Sequence, residues 1–229
     1  MYPQHPLALA PPAGTADWSE RSLLDAATRL ALGSVNRAFL DLAVELAEEG
    51  RLRTISGLPP RAIDSLIHPE AGERLCASLP YALFDLRFGD GGWWESEVAA
   101  AGAVQDAPPA APCDERLIAF ARAAVMFAWH LAATRASAAR LVLGIAPATI
   151  AALAKLPLAA VERLARRVAP ALTARFGSRT RFWLQFEGCA AHPDERAVDE
   201  LRKLGLQIQG AESARLQALQ RRPRRGATH

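Results

Sequence analysis

Apolar residues recur at helical spacing along much of the chain, which predicts a mainly α fold. The clearest periodic stretches, Val35–Glu49 and Arg116–Thr134, each predict a long amphipathic helix. Two shorter stretches with alternating character, Leu83–Phe88 and Arg181–Phe186, predict a short strand in each half of the chain. The pattern therefore places two similar series of elements one after the other.

The same residue signature occurs twice. In the first copy it comprises Gly57-Leu58-Pro59-Pro60, Pro69, Glu73-Arg74-Leu75, Arg87-Phe88-Gly89 and Trp93-Trp94; in the second it comprises Gly144-Ile145-Ala146-Pro147, Pro157, Glu162-Arg163-Leu164, Arg175-Phe176-Gly177 and Phe182-Trp183. The offset between the copies stays between 87 and 89 residues, which is typical of a duplicated unit. In each copy a glycine ends one helix and a proline lies near the start of the next short helix. We predict two tandem helical modules with turns of the helix-turn-helix kind.

Changes in composition give the predicted boundaries. They are a disordered leader at 1–18, a first acidic module at 19–98, an Ala/Pro-rich linker at 99–112, a second basic module at 113–188, C-terminal helices forming a hairpin at 189–220, and a basic tail at 221–229. Within the hairpin, one helix is expected to start near Glu195 and another near Ala211. The first residues lack both a basic start and a long apolar run, so we expect a cytoplasmic protein with no membrane span.

Charge is divided unequally between the two halves. Residues 1–112 hold 8 Arg and 15 acidic residues, whereas residues 113–229 hold 19 basic and 9 acidic residues. The split indicates either that the second half meets an anionic partner or that the halves attract each other. The basic residues are mostly Arg, which suits phosphate contacts but also follows from a GC-rich genome.

The turn at Gly144 has the outline of a helix-turn-helix, although a plain corner between two helices gives the same pattern. The following helix offers mostly alanine, with Thr149 as its polar residue, and is poorly equipped to read bases. Contact with phosphates is better supported, because arginines three and four positions apart lie on one side of a helix and form a basic surface. The alternative interpretation of the same arginines is an ordinary solvated helix face. The candidate DNA-binding residues are Arg163, Arg166, Arg167, Arg175, Arg179 and Arg181.

A family resemblance bears on these residues. The second copy, through Ala138-Ala139-Arg140-Leu141, Leu143-Gly144-Ile145, Leu156-Pro157 and Arg175-Phe176, resembles FlhD, a subunit of the bacterial flagellar master regulator. The first copy resembles FlhD-related proteins of integrative conjugative elements. The resemblance covers about 50 residues in each half. It implies a helical transcriptional regulator that joins a FlhC-like partner, or forms a homo-oligomer, within a DNA-bound activator complex.

The chain also departs from that family. FlhD-type subunits carry one module and dimerise, so two modules in one chain predict an intramolecular pseudo-dimer. The FlhC-type partner is associated with a four-cysteine zinc site, which three scattered cysteines cannot supply. Any zinc-binding subunit would therefore be a separate chain. The alternative function is a helical adaptor or chaperone-like module that binds another protein without touching DNA.

Catalytic chemistry finds little support in the sequence. None of the five histidines has a Cys, Ser or carboxylate partner at a recognisable spacing. Cys76, Cys113 and Cys189 are expected to be reduced thiols. The aromatic pairs Trp93-Trp94 and Phe182-Trp183 could stack on bases, but their repetition favours core packing. We predict no enzyme, no cofactor, no metal and no small-molecule substrate.

Overall fold

The structure is a computed structural model that describes residues 24–59, 69–103, 113–192 and 194–221. The predicted leader at 1–18, the short helix expected after Gly57, most of the linker and the tail beyond Arg221 lie outside these ranges. The described part is mainly α, as the periodicity predicts.

The elements follow one another in two similar series. In the first, they are α1 (Ala26–Glu48), a 3-10 turn (Leu52–Thr54), α2 (Pro69–Ser78), β1 (Phe84–Asp85) and α3 (Gly91–Gly102). In the second, they are α4 (Glu115–Thr134), α5 (Ala136–Leu143), α6 (Pro147–Ala154), a 3-10 turn (Leu158–Ala160), α7 (Val161–Val168), another 3-10 turn (Ala169–Ala171), β2 (Thr173–Ala174) and α8 (Thr180–Ala191). A last helix, α9 (Glu195–Arg221), follows both series.

Corresponding elements of the two series lie 89 residues apart. This offset separates the starts of α1 and α4, and α3 and α8 both contain 12 residues. The two short strands pair with each other in antiparallel register, Phe84 with Ala174 and Asp85 with Thr173. At the offset of 89 residues, Thr173 is the counterpart of Phe84 and Ala174 is the counterpart of Asp85, so each residue pairs with the other residue's counterpart. A local two-fold axis between the two copies produces this pairing.

Backbone conformation shows which residues of the two copies correspond at a point where the residue types suggest a different alignment. Arg87 (φ 56°) and Phe176 (φ 60°) have the same left-handed conformation, 89 residues apart. The sequence match instead sets Arg87 beside Arg175, one residue out of register. In the fold, Arg175 is the counterpart of Leu86, and this difference changes the core of the second copy.

The first helix begins nine residues before the predicted start at Val35. Asp25 caps it, since its carboxylate accepts a hydrogen bond of 2.7 Å from the backbone N–H of Thr28. Two residues that interrupt the apolar pattern have tertiary roles. A Cβ at Gly33 would lie 3.0 Å from the Cα of Ala77, so glycine lets α1 and α2 approach closely. Asn36 is fully buried.

The amide of Asn36 braces the segment that leads into β1. Its Nδ2 donates to the carbonyl of Tyr81 at 3.0 Å, and its Oδ1 accepts from the N–H of Leu83 at 2.8 Å. A buried amide with both ends bonded fixes the position of that segment against α1.

Three local predictions are wrong. The stretch Arg181–Phe186 is helical, because Phe182, Trp183 and Phe186 are buried on one face of α8, at helical spacing. The strand of the second copy lies earlier, at Thr173–Ala174. Part of the predicted linker is also helical, since α3 continues through its Ala-rich end to Gly102.

The third error concerns the C-terminal hairpin. The chain runs without a break through Ala211 as the single helix α9, so the two helices expected at 189–220 are one. Gly210 lies within α9, where a lone glycine costs only about 1 kcal/mol and does not end the helix.

The closing helix of each copy packs on the other copy. Helix α3 contacts α6 and α7 of the second copy, and α8 contacts α2 of the first. Helices α1 and α4 pack antiparallel, with ion pairs at both ends: Asp25 with Arg135 (2.6 Å) and Glu49 with Arg116 (2.6 Å). Buried residues of both copies form one hydrophobic cluster.

Helix α4 lies at the centre of this cluster. It is the one described helix that is long and apolar enough to cross a membrane by length and composition, and 56% of its most apolar window is buried inside the fold. It packs against α1, α5, α6 and α7.

Candidate functional site

Two of the predicted phosphate-binding arginines on α7 instead connect that helix to α3. The guanidinium of Arg167 donates from Nε to Glu97 at 2.6 Å, and both side chains are largely buried. Arg163 donates from Nε to the carbonyl of Ala101 at 2.8 Å. These contacts hold the closing helix of the first copy against the second.

Arg166, the third arginine of this helix, is half-exposed and pairs with Glu115 at 3.0 Å and with Glu162 at 3.3 Å. Its pKa is raised, chiefly by the hydrogen bond to Glu115. The charge on this face of α7 is therefore largely balanced by neighbouring carboxylates.

Arg175 is buried, with 8% of its surface exposed. Its Nη1 donates to the carbonyl of Val142 at 2.7 Å, and a Cβ at Gly144 would overlap its guanidinium. Burial lowers the pKa of this group, while Asp85 acts in the opposite direction. The side chain braces the turn between α5 and α6.

The last two arginines lie at the start of α8. Arg179 is half-exposed, with Glu212 of α9 at 3.7 Å. Arg181 is exposed, and no hydrogen bond or ion pair of its side chain is found within the described residues. The six predicted site residues therefore have different environments: three on α7 in contacts with α3 and α4, one buried, one beside α9 and one exposed.

The turn between α5 and α6 has the helix-turn-helix outline. Gly144 is left-handed (φ 65°) and its N–H closes α5 on the carbonyl of Arg140. Helix α6, however, is packed into the fold. Its Thr149 is fully buried and donates to the carbonyl of Phe88, and its Ala148 lies against Gly91. The exposed positions of α6 are mainly alanines, which carry no hydrogen-bonding group for bases.

The repeated aromatic pairs belong mainly to the core. Trp94, Phe182 and Trp183 are buried, and Trp93 is half-buried. Trp94 stacks on Phe88 with ring centroids 5.5 Å apart and planes 8° from parallel. Buried rings of this kind stabilise the interior and are inaccessible to nucleic-acid bases.

The surface between α4 and α7 contains an open apolar groove of about 460 Å³. Its apolar lining is formed by Ala119, Ala123, Met126, Leu158 and Val161. One ion pair, between Arg122 and Glu162 (3.1 Å), lies on the groove.

Met126 and Leu158 are 38% and 61% exposed, which is high for large apolar side chains. This groove was not predicted from the sequence. The signal that could have found it is the stripe of Ala119, Ala123 and Met126 on one face of α4, together with Leu158 directly after Pro157.

The three cysteines are unpaired thiols. Burial raises the pKa of Cys76 to about 12, and it also raises the pKa of Cys113 and Cys189. In the described ranges, no three His, Cys, Asp or Glu side chains come together as a group that could hold a metal ion.

Comparisons with known proteins add no relative to these observations. No protein-family model, curated protein or solved structure significantly matches the chain, so the resemblance to FlhD rests on the residues quoted above.

Proposed function

We propose that this protein is a cytoplasmic helical adaptor whose α4–α7 groove binds an amphipathic helix of a partner protein. The observation that carries the proposal is the exposure of Met126 and Leu158 in an apolar groove. A groove between two helices accepts a third helix through its apolar stripe. Methionine suits such a surface because its flexible side chain adapts to different partners.

The charges around the groove also favour a protein partner. Arg122 pairs with Glu162, and Arg166 pairs with Glu115 and Glu162. A surface of mixed, balanced charge around an apolar centre resembles the anatomy of a protein interface. Phosphates are bound better by arginines that are not already paired.

Site-specific photocrosslinking in cells tests this proposal. A photoreactive residue at Met126 should give a discrete adduct with one partner, and Leu158→Glu should abolish it by placing a charge in the groove. The matched control is Leu184→Glu on α8, because Leu184 is also exposed (56%) but lies outside the groove. An adduct that survives Leu158→Glu, or that Leu184→Glu removes equally, would contradict the assignment of the groove.

A FlhD-like regulator inside a DNA-bound complex is the second candidate. It is favoured by exposed cations for which the described residues supply no carboxylate partner: Arg140 on α5, Lys155 after α6 and Arg181 on α8. These groups remain available for phosphates, alone or beside a FlhC-like subunit or a second copy of the chain.

Fluorescence polarisation with duplex DNA at several salt concentrations tests the second candidate. The double variant Arg140→Glu/Arg181→Glu should weaken binding and reduce its salt dependence, whereas Arg196→Glu on the exposed side of α9 should not. Reversing Arg166 and Arg167 is a poorer test, because it also breaks the contacts with Glu115 and Glu97. Binding that is independent of salt would exclude a phosphate interface.

A further inference from the structure

Helix α9 lies outside the duplicated pattern. Only 12 residues separate the end of α3 from the start of α4, too few for a helix of 27 residues at the corresponding place. The described elements of the two copies correspond without α9, and α8 is the helix that α9 contacts most. Helix α9 is therefore an addition to the paired copies.

Helix α9 packs against the ring of Tyr81. A Cβ at Gly205 would overlap this ring, so only glycine allows the helix to lie against it. The hydroxyl of Tyr81 donates to the carbonyl of Leu201 at 2.8 Å. Behind the tyrosine ring are Phe176 and Phe182, with centroids 5.5 and 6.0 Å away.

Two side chains of α9 donate to carbonyls at the ends of other helices. Arg202 donates from Nε to the carbonyl of Ser78, the last residue of α2, at 2.7 Å. Gln209 donates from Nε2 to the carbonyl of Arg140 at 3.0 Å and also to that of Leu141, in the last turn of α5. The last carbonyls of a helix lack partners inside it, so Arg202 supplies a donor for the carbonyl of Ser78. The carbonyl of Arg140 already accepts from the N–H of Gly144, and Gln209 gives it a second donor.

A carboxylate of α9 also contacts the second copy. Glu212 lies 3.7 Å from Arg179 and also opposes the burial-induced fall in the pKa of Arg175. Along one face, α9 thus presents a small residue, amide and guanidinium donors, and an acid.

The apolar anchoring of α9 is modest. Leu201 is fully buried, whereas Val198, Leu204 and Ile208 are only half-buried. Three buried polar atoms on the packed helices α8 and α9 have no hydrogen-bond partner among the described residues: Trp183 Nε1, Gln185 Oε1 and Gln209 Oε1. Groups of this kind regain hydrogen bonds when water reaches them, which lowers the cost of separating the two helices.

We propose that α9 is a releasable latch, and that the surface beneath it binds a partner helix with the same face: glycine over Tyr81, donors for the ends of α2 and α5, and a carboxylate for Arg179. This site is distinct from the α4–α7 groove and does not depend on it. Elements that open for binding belong to the less stable parts of a fold.

Hydrogen exchange under native conditions measures the opening. In the wild type, amides of residues 195–215 should exchange through an opening that leaves α4 and α7 protected. Gly205→Ala should speed the exchange of α9 by about tenfold or more, because the added methyl overlaps Tyr81 and undocks the helix, without changing α4. Gly210→Ala is the matched control, since it adds a methyl to the same helix where nothing lies within 4 Å.

A labelled peptide of residues 194–215 serves as the probe for the exposed surface. It should bind the Gly205→Ala chain more tightly than the wild type, whose own α9 competes, and a peptide with Gly205→Ala should not bind. If the Gly205→Ala chain fails to fold, Arg202→Ala weakens the same docking by removing the contact with Ser78. Exchange of α9 and α4 in one step, or equal peptide binding by the wild type and the undocked variant, would overturn the proposal.

Discussion

The closing helices α3 and α8 have the same length and the same position in their copies but different interiors. Trp94 donates from Nε1 to the carbonyl of Leu86 at 3.1 Å, whereas Nε1 of Trp183 has no hydrogen-bond partner in the part of the chain that the structure describes. At the position of Leu86 the second copy has the buried Arg175. The two copies therefore keep the same backbone register, while the second copy has a buried polar group that the first lacks at the same position. This group, Arg175, is close enough to α9 for Glu212 to oppose the lowering of its pKa by burial.

A second contrast separates the helix pairs α1–α2 and α4–α7. In the first copy Gly33 allows close approach, and a Cβ there would lie 3.0 Å from the Cα of Ala77. The counterpart of Gly33 is Arg122, which reaches across to Glu162 at 3.1 Å. The apolar groove lies in the second pair, so divergence at one helix position accompanies a new surface.

Among the substitutions that test the difference between the two copies, we expect the largest effect from Leu86→Arg. Leu86 is fully buried, and an arginine there would take a charged group out of water, so we expect a loss of about 3–5 kcal/mol in the free energy of unfolding. Denaturation with urea, followed by circular dichroism, measures the change.

The reciprocal substitution, Arg175→Met, is the control. The carbonyl of Val142 keeps its hydrogen bond from the N–H of Ala82 (2.9 Å), and the desolvated charge is removed. We expect a change within about 1 kcal/mol or a gain in stability. A loss as large as that of Leu86→Arg would contradict this expectation and show that the hydrogen bond from Arg175 to Val142 is needed for the stability of the second copy.

The next effect concerns Gly177, whose counterpart in the first copy is Phe88. A Cβ at Gly177 would lie 2.6 Å from the Cα of Gly57, and backbone atoms cannot move aside as a side chain can. Gly177→Ala should therefore lower the free energy of unfolding by about 1–3 kcal/mol. Gly188→Ala, in α8 with nothing within 4 Å, should be neutral or stabilising. Equal melting temperatures for the two variants would contradict the close approach.

A smaller effect separates the two tryptophans. Trp94→Phe removes a hydrogen bond to Leu86, whereas Trp183→Phe removes a buried donor for which the described residues supply no acceptor. We expect Trp94→Phe to cost about 1 kcal/mol more than Trp183→Phe. The difference is measured by urea denaturation of both variants side by side, and the opposite order would mean that Trp183 makes the stronger contact.

The smallest effect lies at the junction of α1 with α4. Hydrogen bonds from Arg116 hold the pKa of Asp114 and of Glu49 below their usual values. Groups with a lowered pKa stabilise the fold above their unfolded pKa of about 4, and this contribution is lost as the pH falls further.

Asp114→Asn should therefore lower the melting temperature by about 2–4 °C at pH 7 and by less at pH 3. Asp41→Asn is the control, since Asp41 makes an exposed contact with Arg37 within α1. A melting-temperature difference that is the same at both pH values would rule out the carboxylate of Asp114 as its source.

Several features of the fold were predictable because they are local. The helical periodicity of Arg116–Thr134 places α4 within one residue of its observed bounds. The glycine at 144 has the left-handed conformation that ends α5. The same reasoning fails for Arg181–Phe186, because a short apolar run suits either a strand or a buried helix face. It also fails for the start of α1, because Gly33 and Asn36 interrupt the helical spacing of the apolar residues there.

The candidate site was less predictable. The spacing of Arg163, Arg166 and Arg167 shows that they share a helix, but it carries no information about Glu97 or Glu115, which lie far away in the chain. The groove at Met126 and Leu158 depends on the packing of α4 beside α7, and Met126 alone looks like any other apolar residue of its helix.

The amino-acid pattern alone determines the mainly α class, the bounds of α4 to within one residue and the glycine that ends α5, because these depend on neighbours within a few positions. It also contains the repeat of 87 to 89 residues. Only the tertiary structure decided that α3 and α8 pack on opposite copies, that Arg175 is buried and that α9 covers Tyr81. The reason is physical: burial and charge pairing are settled between residues far apart in the chain, and one sequence pattern is compatible with many such pairings.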